Sequence, residues 1–273
     1  MDQMFSKKRG ILFSLICVIC FGIAPVPTMT ASAAAVRYVN QTTGPYTSVT
    51  AALNASNTGD VIEITDSKVY YESFVVGPGG RNISSLTIRG REGEQPAISG
   101  EGSSGAVIAL QNGGCIINNL TVYVGGALYG ISCTGAGNTI EGVSFDNHIA
   151  GTGNTFCINL TQSTNIRNCN FLGSPSVNGG GILANTSVPI TLQVYRCDFW
   201  GTGTVGGMVG MGLAAGSTAS ISQSCFAAPN SPNTIFALNS WGSGTINEYV
   251  NTFRNVNRAV AGFNNNTPHS TDV

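Results

Sequence analysis

The amino-acid sequence predicts an all-β chain wound as a single-stranded, right-handed parallel β-helix with a short N-terminal capping helix. A short segment ending in a large apolar residue recurs six times at nearly constant spacing, and a second apolar element falls between successive copies. The connecting residues are Gly, Asn and Ser, the types that build turns between short strands.

Residues 1–33 have the tripartite pattern of an export signal. Lys7, Lys8 and Arg9 form a basic start, Ile11 to Ala24 an apolar run, and Ala31-Ser32-Ala33 a small-residue cleavage site. The run is shorter than the roughly 20 apolar residues a bilayer-spanning helix needs, and Pro25 and Pro27 close it. The expectation is therefore an exported protein, secreted or held at the cell surface, with no membrane span after cleavage. Residues 34–262 then form one β-helix domain of about seven coils, and residues 263–273 a polar tail or a truncated end.

The repeated segments are Ile117 to Val122, Ile140 to Phe145, Ile166 to Phe171, Val194 to Phe199, Ile221 to Phe226 and, more loosely, Ile246 to Phe253. Their closing residues are 23, 26, 28, 27 and 27 positions apart. The second element comprises Val107 to Leu110, Gly130 to Cys133, Cys157 to Leu160, Gly181 to Ala184, Gly210 to Leu213, Ile235 to Leu238 and Arg258 to Ala261. One such unit cannot bury its own apolar side chains, whereas stacked units share a continuous core. A leucine-rich repeat would need a regular Leu framework, and a propeller blade about 40 residues. Stacked parallel coils with rungs about 4.8 Å apart remain.

The first apolar residue of each segment and its closing residue are five positions apart, so strict strand alternation cannot turn both inward. A bend between two short strands restores the parity. Asn119, Gly142 and Asn168 occupy the bend position in the first three segments and tolerate a left-handed backbone. Arg196 and Gln223 interrupt that pattern. The next position holds Leu120, Val143, Cys169, Cys197 and Ser224 and reads as an inward stack. Cys169 and Cys197 then become neighbours on adjacent rungs, either as buried free thiols or as a bridge.

Charge narrows the function. Without residues 1–33 the chain has 9 basic and 12 acidic residues, which argues against a nucleic-acid partner. Between Gly102 and Asn247 only Glu141, Asp146, Arg167, Arg196 and Asp198 are charged. With two histidines in the chain and no Cys-x-x-Cys after the signal, neither a metal site nor a cofactor is expected.

The first part of the mature chain resembles pectin methylesterases and other pectin-lyase-like β-helix proteins. Gly44 to Leu53 resembles their capping helix, Gly59 to Ile64 the strand after it, Tyr70 to Val76 the strand carrying their tyrosine and glutamate, and Leu86 to Gly90 the next rung. The resemblance implies the architecture and a carbohydrate-related role. It does not extend to the catalytic strings of those families: Asp198-Phe199-Trp200-Gly201 is the nearest likeness, and the mature chain has a single lysine, Lys68.

The candidate catalytic residues are Asp146 with His148, in the loop after Phe145, and Asp198 with Arg196. Asp146 and Asp198 are expected outward on one sheet, two rungs and two residues apart. That places their Cα atoms about 12 Å from each other by standard strand spacings, beyond the roughly 5 to 9.5 Å that paired carboxyl groups need for glycoside hydrolysis. Tyr195, Trp200 and Trp241 are candidates for stacking on sugar rings. The expected outward positions of the second element, including Ala109, Ser132, Asn159 and Ala237, carry no charge. The reading is a non-catalytic exported module presenting a polysaccharide-binding or partner-binding surface, with self-association left open. The alternative is a carbohydrate-active enzyme (polysaccharide lyase, glycoside hydrolase or pectin esterase) whose site lies in loops or at a subunit interface.

Overall fold

The computed structural model describes residues 33–100, 103–147, 155–173, 180–201, 208–228 and 237–256. The element expected at Arg258 to Ala261, the tail 263–273, residues 1–32 and His148 lie outside the described residues.

The helix spans Val49–Ala55, overlapping the stretch Gly44 to Leu53 expected to cap the first coil and running two residues beyond it. Seven residues cannot hold a helix in water alone, and tertiary partners supply the stability. Ser48 accepts from the Ala51 amide, and the Glu72 carboxylate accepts from the Val49 and Thr50 amides at 2.8 Å each. The free N–H groups of the first turn thereby face a negative charge. Val49, Ala52 and Leu53 are buried.

After the helix the chain winds through two sheets whose strand pairs are all parallel. A larger, 15-stranded sheet takes the repeated segments, and a smaller, seven-stranded sheet takes the elements between them. The stretch Tyr70 to Val76 is not one strand: Val69–Tyr71 belongs to the larger sheet and Phe74–Val76 to the smaller, and Glu72 turns away between them to reach the helix.

Backbone bends divide the larger sheet into two faces. Asn119, Gly142, Asn168, Arg196, Gln223 and Val250 all have φ between 51° and 61°. The bend thus persists at Arg196 and Gln223, where the residue type did not announce it. The neighbouring rung supplies the reason: the amides of Asn168, Arg196 and Gln223 donate to the carbonyls of Tyr195, Ser222 and Tyr249 at 2.9, 3.1 and 3.0 Å. A ladder of paired backbone groups fixes the conformation even where a side chain makes it costly by about 1–2 kcal/mol.

The core is a set of columns along the helix axis. Val122, Phe145, Phe171, Phe199, Phe226 and Phe253 fall in one register, as the spacing predicts. The five rings stack with centroids 5.0, 4.4, 4.7 and 5.2 Å apart and planes within 9° of parallel. Ile62, Ile88, Ile117, Ile140, Ile166, Val194 and Ile221 form a second column. Its next position is Glu248, which is buried; Ile246 sits two residues earlier, in register with Ala219. Leu120, Val143, Cys169, Cys197 and Ser224 point inward as expected, and both cysteines of this stack are free thiols. Ala237 departs from expectation: it is fully buried, and Asn239 occupies the outward register beside Gly210.

Candidate functional site

Two outer faces hold the polar and aromatic residues. On the larger sheet, Glu63, Arg89, Asn118, Glu141, Arg167, Tyr195, Ser222 and Tyr249 form one outward column. Its charges neutralise one another: Arg89 and Arg91 clasp Glu63 at 2.7 and 3.0 Å, and Arg167 meets Glu141 at 2.9 Å. Burial works against the Glu63 charge, but the two guanidinium groups hold its carboxyl below the usual range.

Tyr195, Arg196, Asp198 and Trp200 cluster on this sheet around one bend. The Arg196 guanidinium carbon lies 5.0 Å from the Tyr195 ring centroid, and its Nε donates to Gln223 Oε1 at 3.0 Å. That engagement ties Arg196 to the ring and to the next rung. Asp198 is exposed, in register with Asn170 and Cys225. Asp146 registers with Leu172, and Leu172 with Trp200, two residues beyond Asp198. The two aspartates therefore stand two rungs and two residues apart, about 12 Å by strand spacing, and do not form a carboxylate pair. Among the described residues no group of three or more His, Cys, Asp or Glu side chains converges as a metal site would require.

The smaller sheet presents a different surface. Its strands are Phe74–Val76, Ala106–Leu110, Tyr129–Cys133, Phe156–Leu160, Gly180–Asn185, Val209–Gly212 and Leu238–Ser240, and none contains a charged residue or a histidine. Ile108, Leu110, Ile131, Cys133, Ile158, Leu160, Ile182 and Ala184 alternate into the core. Ala109, Ser132, Asn159, Leu183, Gly210 and Asn239 form an outward column. A second column follows at the strand ends: Gln111, Thr134, Thr161, Asn185 and Gly212. Tyr129 and Phe156 are in register at the opposite end of the strands.

Trp241 completes this face. Its predecessor Ser240 pairs with Met211, so Trp241 falls beside Gly212. The indole lies across the neighbouring strand: a β-carbon added to Gly212 would fall 2.3 Å from Nε1 and 2.8 Å from Cε2, and one added to Gly210 would fall 3.1 Å from Cη2. Asn185 Oδ1 borders the same space, 2.9 Å from that imagined Gly212 carbon. The ring is 54% exposed, so it has solvent on one side and glycine backbone on the other.

Of the three aromatic candidates, Tyr195 and Trp200 thus belong to the larger sheet and Trp241 to the smaller. The residues grouped with Trp241, namely Asn185, Thr161, Thr134 and Gln111, were not singled out from sequence. The discoverable signal was the pair of outward glycines, Gly210 and Gly212, one coil before a tryptophan.

No family model matches the chain, and no curated protein sequence matches it. Solved structures do. A pectin methylesterase in complex with a hexasaccharide superposes with a TM-score of 0.58 at 12% identity, over 81% of this chain and 80% of that one. The pectin methylesterase of Aspergillus niger gives 0.55 at 14% identity, over 87% and 91%. That of carrot gives 0.51 at 16% identity, over 84% and 86%. These likenesses show the fold, a right-handed parallel β-helix of the pectin-lyase-like type.

Proposed function

We propose that this chain is an exported module that binds polysaccharide along the outer face of the smaller sheet and does not cleave it. The observation that carries the reading is the composition of that face: seven strands without a charge, lined by hydroxyl and amide side chains and by the Trp241 indole. Glycan recognition uses these groups, since hydroxyls pair with amides and the apolar face of a sugar ring packs on an aromatic plane. Cleavage needs more. Hydrolysis requires paired carboxyl groups and elimination requires a base with a cation beside the substrate, because charge must be stabilised where it develops. The basic and apolar start of the chain supports export.

A carbohydrate-active enzyme is the second reading, favoured by the fold shared with pectin methylesterases. Asp146 and Asp198 are the first residues to test for it. Co-sedimentation of the purified mature protein with insoluble polysaccharides, and affinity electrophoresis in gels containing soluble ones, separates the readings when products are assayed in the same tubes. Retention on a glycan without release of reducing ends, unsaturated sugars or methanol is the expected result. Turnover abolished by Asp146→Asn or Asp198→Asn in a folded protein establishes the enzyme instead.

A further inference from the structure

We infer that the glycan taken by the smaller sheet is uncharged, with Trp241 as the platform for one of its rings. The inference rests on the binding reading above and adds the class of ligand.

From Ala106–Leu110 onward the absence of charge extends past the strands to the described residues that flank them; the first strand, Phe74–Val76, has Glu72 and Arg81 beside it. Between Gln111 and Gly244 the described residues that lead out of and into the smaller sheet are 111–115, 124–128, 134–137, 161–163, 186–190, 213–217 and 241–244, with Asn147, Thr155, Gly173, Gly201, Met208, Ala228 and Ala237. None of them is Asp, Glu, Lys, Arg or His. Charge elsewhere in these coils belongs to the larger sheet, as Glu141, Asp146, Arg167, Arg196 and Asp198. A polyuronate carries a carboxylate on every sugar. Laid along this face beyond its first strand it would shed water from each carboxylate and meet no cation in return, a penalty that burial of unpaired charge exacts. An uncharged glycan meets no such penalty.

Trp241 provides a seat for a ring. A tryptophan standing off a sheet sweeps through rotamers and loses that freedom when a ligand binds. Here the indole rests on Gly210 and Gly212, at distances that leave no room for a side chain beneath it. Contact with the glycine backbone restricts the ring, which lowers the entropic cost of stacking. Along the axis from this plane run Asn185, Thr161, Thr134 and Gln111, one per rung at about 4.8 Å. Each is an uncharged hydrogen-bonding group, and together they form a ladder for the hydroxyls of successive sugars.

The test compares one backbone with and without its charge. Affinity is measured by electrophoresis and calorimetry for polygalacturonate, for the same polymer fully methyl-esterified, and for neutral galactan, arabinan and glucan, each at low and high salt. The expected result is binding to an uncharged member at least tenfold tighter than to polygalacturonate and insensitive to salt. Trp241→Ala should weaken it tenfold or more. Gly212→Ala, which leaves the indole intact but places a methyl group where it lies, should weaken it with the circular dichroism of the fold unchanged. Tighter, salt-sensitive binding to polygalacturonate overturns the inference and leaves the glycan reading standing. Unchanged affinity in folded Trp241→Ala and Gly212→Ala proteins overturns the platform. Failure to retain any glycan overturns the binding reading itself.

Discussion

Phe171 and Phe199 stack face to face across adjacent rungs, with ring centroids 4.4 Å apart and planes within 1° of parallel. Both are buried, and each also stacks on a further phenylalanine, so Phe199 touches rings on both sides. Phe199→Ala removes the middle of the column and leaves a cavity that rigid backbone ladders cannot close. It should cost about 3–5 kcal/mol in denaturant unfolding. Phe253→Ala, at a ring that is only partly buried, should cost less.

The bends make a prediction of opposite sign. Val250 is 69% exposed and holds φ at 54°, a region unfavourable for a β-branched residue. Val250→Gly removes that strain and surrenders little burial, but it loosens the unfolded chain. The net should be a gain of about 0.5–1 kcal/mol, read as a rise in the urea midpoint. A loss of more than that would contradict the bend at this position.

Acid should weaken the first coil through Asp60. Burial opposes its charge, but the Asn57 and Ala35 amides and the Arg37 guanidinium, 2.9 Å away, hold the carboxyl below its usual range. The folded chain therefore binds this proton less readily than the unfolded chain. The stabilisation is complete above the unfolded value of about 3.9 and is lost as pH falls through the lower folded value. Urea midpoints measured from pH 7 to pH 2 should decline at the acid end, and Asp60→Asn should start lower at neutral pH and decline less.

Thiol titration addresses the alternatives that spacing left open at Cys169 and Cys197. Cys115, Cys133, Cys157, Cys169, Cys197 and Cys225 are free; the first five are buried and Cys225 is partly exposed. Burial pushes the Cys133 thiol up to about 12 and raises that of Cys225 as well. The mature protein should yield six thiols in denaturant and at most one slowly reacting thiol when native. Four in denaturant would point to a bridge, with Cys169 and Cys197 as the neighbouring pair.

How much of this was legible in the sequence depended on whether a residue's role was local. The phenylalanine column was readable because its members recur at a nearly fixed interval and each must face inward. The bends at Arg196, Gln223 and Val250 were not, since nothing in these residue types signals a left-handed backbone; the amide ladder of the next rung holds the first two. Ala237 was misplaced because the outward position is Asn239, two residues later, and two consecutive inward residues precede it, as Val107-Ile108 and Cys157-Ile158 do in earlier coils. Trp241 was recognisable as an aromatic candidate, but its bed on Gly210 and Gly212 depends on register across coils. Once the strands are laid side by side, a tryptophan and a glycine 29 residues apart become neighbours.

The central claim is binding without turnover, and product analysis tests it most directly. The mature protein is incubated to equilibrium with the glycan it retains best, and reducing ends, unsaturated uronate and released methanol are quantified against a heat-treated control. The account predicts no product above control while the glycan remains bound. Product that accumulates in proportion to protein and disappears in folded Asp146→Asn or Asp198→Asn would contradict it and place chemistry on the larger sheet.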